Sequence, residues 1–371
     1  MNIAHLIPDS AFLPFVVDTF EEAVPGGNVF FVYGAEKGLE RHKLPKGVWA
    51  ESTGTETADL ARVGAAFAES RVVIAHSMST FAAAALIAAP PSTLRVWSGW
   101  GGDYYGTTFN EMSGLLGPNT SRFVRGRRRW REVALRAHAT PWLRRLYGDA
   151  SAVTDVFSAP VPTDLAVFQR RFRRFNGRYH QLNYASVQDT YSLLPDHVTG
   201  SDILVGNSAS PENNHLETLE LLAEVGIGHR RVLAPLSYGD RSYGDEIERA
   251  GQQLFGDRFV AVREFLPLDQ YSRLVAGCDV VVMGHRRQQA LGNIARAVWQ
   301  GAHVFLDRRS PVVQFFREVG IPISTLDDLH SDGLPIAGRS QSEVLRSREL
   351  ARTLWGRDVV LENIRLLLAL N

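Results

Sequence analysis

Cysteine is nearly missing from this 371-residue chain, with Cys278 its one example. That excludes an intramolecular disulfide and fits a reducing cytoplasm. The position of Cys278, between Gly277 and an apolar run, reads as packing. No run of about 20 apolar residues occurs, so no segment is expected to span a bilayer. The N-terminal stretch lacks the basic segment and long apolar core of a signal peptide. Net charge is absent too, because 40 basic residues offset 40 acidic ones. Neither G-x-G-x-x-G nor G-x-x-x-x-G-K-[ST] is present, which argues against a dinucleotide oxidoreductase or a P-loop NTPase. No internal repeat or low-complexity tract appears. What remains is a 45% apolar chain, long enough for two cored domains.

The most informative stretch is 280–307. Residues 280–283 and 304–306 are short, unbroken apolar runs, expected as buried strands of a parallel sheet. Between them, Gly284-His285-Arg286-Arg287-Gln288-Gln289 leads into a helix expected over 290–300 and stopped at Gly301. The free amides and dipole at that helix start, with two guanidinium groups alongside, suit a diphosphate. An ordinary strand–helix–strand unit with a solvated arginine pair is the plainer alternative.

The same alternation runs through the chain. Strands are expected at 2–7, 29–33, 71–75 and 94–98, with helices up to residue 22, at 58–70 and at 80–89. Ser79 is placed to cap the last of these and Pro90-Pro91 to end it. The pattern restarts with a strand at 202, a helix from Pro211 to about 225 and strands at 231–234 and 259–262. Helices are expected at 243–255, 268–276, 311–319 and 345–370. Two doubly wound α/β domains are therefore expected, 1–195 and 196–371.

Residues 122–178 depart from this rhythm, carrying fourteen Arg, no Lys and four acids. Trp130, Val133, Ala134 and Ala137 form one apolar helical face that follows Arg127, Arg128 and Arg129; Pro141 is expected to break this helix, with Arg144 and Arg145 beyond the break. A basic amphipathic helix with tryptophan suits an anionic membrane surface, at about 1 kcal/mol per Arg near the bilayer. A solvated charged face is the alternative. No nucleic-acid-binding motif accompanies the arginines.

Several segments together resemble the bacterial transferases of TDP-4-acetamido-4,6-dideoxygalactose (Fuc4NAc). These are Leu204-Val-Gly-Asn-Ser208 with Asn214-His215, Pro235-Leu-Ser-Tyr238, Arg287-Gln-Gln289 with Gly292, and Gln300-Gly301. His76 and Trp100-Gly-Gly-Asp-Tyr104 extend the likeness, which covers about residues 70–325 in order. Ser-Met follows His76 where that family has Gly-Gln. Those enzymes add the third sugar of enterobacterial common antigen to a polyprenyl-diphosphate-linked precursor.

The resemblance implies a GT-B fold of two Rossmann-like domains facing a cleft, the first taking the acceptor and the second the nucleotide-sugar. It implies a retaining, metal-independent hexosyltransferase with no cofactor, peripheral on the cytoplasmic face of the bacterial inner membrane. Donor contacts are then expected from Gly206, Asn207, Ser208, Tyr238, Arg286, Arg287, Gln288, Gln289, Gly292 and Asn293. Acceptor or membrane contacts are expected from Trp100 and the Arg127–Arg129, Trp130 and Arg144–Arg145 cluster. His76 and Asp103 are expected to orient acceptor and sugar hydroxyls, while charge stabilisation of the departing diphosphate carries most of the rate. No acid lies between Gln288 and Gln300, where many GT-B enzymes grip both ribose hydroxyls; Arg296 is there instead. Thymidine sugars lack the 2′-hydroxyl, so this favours TDP over UDP. Two alternatives stay open: transfer of another TDP- or UDP-deoxyamino sugar in capsule or O-antigen assembly, and a non-catalytic nucleotide-sugar-binding scaffold.

Overall fold

The computed structural model describes residues 3–34, 38–42, 44–46, 50–53, 57–106, 114–127, 130–184, 186–187, 195 and 197–370. For residues 57–62, 130–139 and 268 it describes the backbone course alone. The chain divides into two compact units.

The first unit is built on a parallel sheet of seven strands: β1 (Ile3–Pro8), β2 (Asn28–Tyr33), β3 (Ala50–Thr53), β4 (Val72–His76), β5 (Leu94–Ser98), β6 (Val156–Ser158) and β7 (Arg178–Tyr179). Their order is β3-β2-β1-β4-β5-β6-β7, so the winding direction reverses between β1 and β4. The unbroken apolar runs predicted as strands are central here, and both faces of β1 and β4 are buried. One face packs Leu6, Phe31, Trp97 and Phe157 under α3 (Thr80–Ala88) and α5 (Trp130–Val153). The other packs Ile7, Phe30 and Ile74 against α1 (Leu13–Ala23). Ser79 caps α3 as expected, its hydroxyl accepting from the Ala82 amide at 3.1 Å.

The second unit repeats the design with six parallel strands, β8 (Asp202–Val205), β9 (Val232–Pro235), β10 (Phe259–Val262), β11 (Cys278–Met283), β12 (His303–Leu306) and β13 (Ser324–Thr325). The order β10-β9-β8-β11-β12-β13 puts the reversal between β8 and β11. In open α/β sheets the crevice at such a switch point, outside the carboxyl ends of the strands, is where ligands bind.

The single expected boundary at residue 195 is corrected in two places. Residues 112–129 belong to the second unit, and 355–371 return to the first. The helix expected over 345–370 is two, Gln341–Trp355 and Arg357–Leu368, separated at Gly356. The second of them buries Leu361, Ile364 and Leu367 in the same core as Val16, Val17 and Phe20 of α1. At roughly 2 kcal/mol per buried aliphatic side chain this attachment is strong. Sequence order therefore does not follow unit order in this chain.

Residues 112–129 enter the second unit through hydrogen bonding that composition does not reveal. Helix α4 (Pro118–Arg127) starts with orphan amides, and a carboxylate from elsewhere in the chain caps them. Glu217 accepts from the amides of Asn119 and Thr120 at 2.8 and 2.9 Å, and from the Thr120 hydroxyl at 2.6 Å. Removing an N-cap costs about 1–2 kcal/mol. Glu217→Ala is therefore expected to destabilise the second unit by about that much and to expose the Asn119 and Thr120 amides. Hydrogen exchange at those two amides is the measurement, and unaltered protection would mean that Glu217 does not hold the helix.

Candidate functional site

In the second unit the switch-point crevice is lined by two loops. The first follows β8, where Gly206 adopts φ +65°. A Cβ there would lie 2.3 Å from the His215 Nε2, so glycine is required by a close approach of protein to protein. Asn213 then fixes the loop: its Oδ1 accepts from the Asn207 amide at 3.2 Å, and its Nδ2 donates to the Ser208 carbonyl and hydroxyl. Ser208 is buried and occupied within the loop. The side chain of Asn207 reaches outward, donating to the Tyr238 hydroxyl at 3.0 Å and accepting from Gln289 Nε2 at 3.2 Å. Tyr238 is half-exposed.

The second loop follows β11. Here the two neighbouring arginines diverge. Arg286 is committed to the fold: it pairs with Asp307 at 3.2 Å and donates to the carbonyls of Leu116 (2.6 Å) and Gly114 (3.3 Å). Asp307 is also paired with Arg309, and these cations hold its carboxyl below the usual carboxylate range despite burial. Arg287 is largely buried, donates to the Gln288 carbonyl at 3.1 Å and lies 3.8 Å from Glu212. Its Nε is buried and donates to nothing among the described residues. Gln288 is buried; Gly292 is exposed with open space around it; Asn293 sits beside the Tyr271 hydroxyl.

The helix α10 (Leu291–Gln300) begins one residue later than expected because Ala290 takes φ +55°, a costly conformation for a residue with a Cβ. No side chain caps it, so its first amides and positive dipole end stand beside Arg287. Arg296, on the same helix, is buried and donates to the Ser272 hydroxyl at 3.0 Å. Among the described residues no group of three or more His, Cys, Asp or Glu could hold a metal ion.

In the first unit two expected site residues are buried. His76 is fully buried at the end of β4, 2.9 Å from the His5 ring, which in turn bonds Asn28 at 3.1 Å. Desolvation holds His76 well below the ordinary imidazole range. Its Nδ1 is buried and bonds no described residue. Asp103 is also buried and accepts from the amides of Met78 (3.0 Å) and Trp100 (3.0 Å) and from the Trp97 indole at 2.7 Å. Burial raises its pKa, and its work is to tie the β4 and β5 loops together. Trp100 is partly exposed, donates to the Tyr184 hydroxyl at 2.6 Å and meets Phe12 edge-on at 5.3 Å.

The basic cluster is split between the units. Arg127 lies over the Phe123 ring in the second unit and lines a cavity of about 610 Å³ with Leu216, Ala250 and Leu254. Arg144 and Arg145 are exposed on α5 of the first unit, beside Trp142 at 58% exposure. Arg128, Arg129 and the Trp130 side chain lie outside the described residues.

These geometries stand beside a family assignment. The family described as 4-alpha-L-fucosyltransferase, glycosyl transferase group 56, matches residues 133–351, more than half of the chain. The chain belongs to this family. The transferase also resembles solved structures at low identity. Anabaena HepE in complex with UDP is 12% identical, covers all of both chains and superposes with a TM-score of 0.65. A glycosyltransferase from Rickettsia africae is 10% identical (99% and 97% covered, TM-score 0.62). The α,α-trehalose 6-phosphate synthase of Burkholderia multivorans is 12% identical (100% and 98% covered, TM-score 0.56). The fold is GT-B, with two Rossmann-like units, and the protein is a glycosyltransferase.

Sequence reasoning passed over Glu212, Asn213, Glu217 and Asp307, which organise the transferase's second unit. It also missed the neutrality of His215 and His285. Both rings are fully buried, accept or donate no hydrogen bond among the described residues, and are pushed by desolvation to a pKa of about 3. A clue was available in Asn213-Asn214-His215, three polar residues where a helix start would ordinarily turn apolar. Folded pKa values below the unfolded 6.5 mean that the unfolded chain binds protons first as pH falls. Stability is then lost from pH 6.5 downward towards 3, by about 2 kcal/mol per imidazole at pH 5. Calorimetry of the transferase at pH 7 and pH 5 is expected to show the second unit's Tm dropping steeply, and His215→Gln with His285→Gln should flatten the slope. A Tm independent of pH across this range would contradict the neutral assignment.

Proposed function

We propose that the protein transfers a 4-acetamido-4,6-dideoxyhexose, Fuc4NAc-like, from a TDP-sugar to a polyprenyl-diphosphate-linked saccharide of bacterial surface polysaccharide synthesis. The observation that carries this reading is the buried Arg287 Nε beside the uncapped start of α10, at the switch point of the second sheet. Amides, dipole and guanidinium favour the same charge there, which is that of a diphosphate. The occurrence of UDP in HepE, a protein of the same fold, supports a nucleotide-sugar donor. Arg296 in place of a ribose-gripping acid supports TDP over UDP.

The chemistry is a substitution at the sugar's anomeric carbon with retention. The bond from that carbon to the diphosphate oxygen breaks, and a bond to the acceptor hydroxyl oxygen forms on the same face. The acceptor's proton passes to the departing diphosphate, whose charge is met by Arg287 and the helix amides. Burial of both His76 and Asp103 supports a reaction without a protein base in line with the acceptor. No helix among the described residues is long and apolar enough to cross a membrane. Exposed Arg144, Arg145 and Trp142 support peripheral attachment to an anionic surface, on the cytoplasmic face of the inner membrane, where such an acceptor would be met.

The arginines separate binding from folding. Arg287→Ala is expected to cost roughly 2–4 kcal/mol of transition-state stabilisation and to weaken TDP binding with little change in Tm. Arg286→Ala, which leaves Asp307 and two carbonyls short of a partner, should lower Tm first. Equal kinetics for wild type and Arg287→Ala would remove Arg287 from the donor site. Activity is expected to persist in EDTA, and a tenfold loss restored by Mg²⁺ would overturn the metal-independent mechanism.

For the membrane, Arg144→Gln with Arg145→Gln should lower binding to anionic vesicles by roughly thirtyfold, at about 1 kcal/mol per Arg, and wild-type binding should fall steeply with salt. TDP affinity should be unaffected. Vesicle binding equal to wild type would make the pair a solvated face.

A further inference from the structure

The chain of side chains through Gln289, Asn207 and Tyr238 leaves one atom over. Gln289 donates from Nε2 to Asn207 Oδ1, and Asn207 donates from Nδ2 to Tyr238 Oη. The other end of the Gln289 amide, Oε1, is buried and accepts from no described group. Two residues earlier, Arg287 Nε is a buried donor with no acceptor. Leaving either unsatisfied costs about 1–3 kcal/mol, so both are expected to gain a partner when the site is filled.

The two orphans require opposite chemistry. A diphosphate offers only acceptor oxygens, which satisfy the arginine N–H and repel an amide oxygen. The part of a nucleotide-sugar that carries donors and lies next to the diphosphate is the sugar itself. We propose that Gln289 reads the transferred sugar, its Oε1 accepting from the N–H of the 4-acetamido group, while Arg287 and the α10 amides hold the diphosphate. This rests on the donor reading above. Asn207 acts as a positioning residue, turning the Gln289 amide so that its oxygen faces the sugar, and Tyr238 anchors Asn207. A site built around an unpaired acceptor discriminates sharply against a ligand that cannot donate to it.

The test compares two sugars that differ in donor capacity. Calorimetric binding of TDP, TDP-4-acetamido-4,6-dideoxygalactose and TDP-4-keto-6-deoxyglucose is measured with wild type and Gln289→Met, which keeps side-chain length and removes both amide atoms. Wild type is expected to favour the acetamido sugar by about tenfold or more, the value of one hydrogen bond. Gln289→Met should erase most of that preference and leave the TDP Kd within about twofold. Should the methionine variant lower Tm, Gln289→Asn withdraws the oxygen with the amide intact and should lose the preference likewise. Retained discrimination in both variants overturns the assignment. So does equal weakening of TDP and both sugars, which would place Gln289 on the diphosphate. Failure of wild type itself to bind TDP would instead bring down the donor reading, and this inference with it.

Discussion

The amide of Asn214 holds together three stretches of chain that are far apart in sequence. It stands at φ +52°, between a turn at Pro211–Asn213 and the helix His215–Val225. From there its Oδ1 accepts from the Gly117 amide at 2.7 Å, and its Nδ2 donates to the carbonyls of Leu115 and Gly284, both at 2.9 Å. Gly284 opens the loop that carries Arg286 and Arg287. The carbonyls of Gly114 and Leu116, on either side of Leu115, receive Arg286. One planar group therefore sets the distance between the imported segment and the candidate diphosphate loop. Every contact it makes is buried, where a lost partner costs most.

That arrangement explains the unequal fates of the two arginines. Sequence presents them as equivalent neighbours at a helix start. In the folded unit one closes a structural circuit with Asp307 and two main-chain carbonyls, and the other is left with a buried N–H to give away. A glycosyl transfer that relies on charge stabilisation needs such an undercommitted cation. A guanidinium already saturated by the protein has little left to offer a departing diphosphate.

The fold was largely legible in the sequence, because parallel strands buried on both faces leave continuous β-branched runs and helices leave caps. β4 and α3, with Ser79 between them, were read from pattern alone. So was the 280–307 unit, apart from the start of its helix at Leu291. What pattern could not reveal was which unit claims a segment, since the claim of residues 118–127 rests on Glu217, a hundred residues onward. Asn207, Arg287 and Gln289, singled out by residue type and loop position, do gather on the two loops at the second sheet's switch point. Burial of His76 and Asp103 was not legible: they lie at the end of β4 and in the loop after β5, and their burial depends on partners, His5 and Trp97, that only the folded sheet brings near. Histidine and aspartate look alike in sequence whether they face a substrate or close a core.

The return of residues 357–368 to the first unit has a consequence for biosynthesis. The faces of Val16, Val17 and Phe20 that this helix covers emerge from the ribosome early, while their cover follows only after the whole second unit has been translated. At 5–20 residues per second that delay is roughly 20–70 s. For that interval the nascent first unit displays an apolar groove on a helix beside its central strands, a surface prone to mispairing with other chains. The protein is therefore expected to mature as a whole rather than unit by unit, and to depend on chaperone occupancy of that groove more than a simple tandem of α/β domains would.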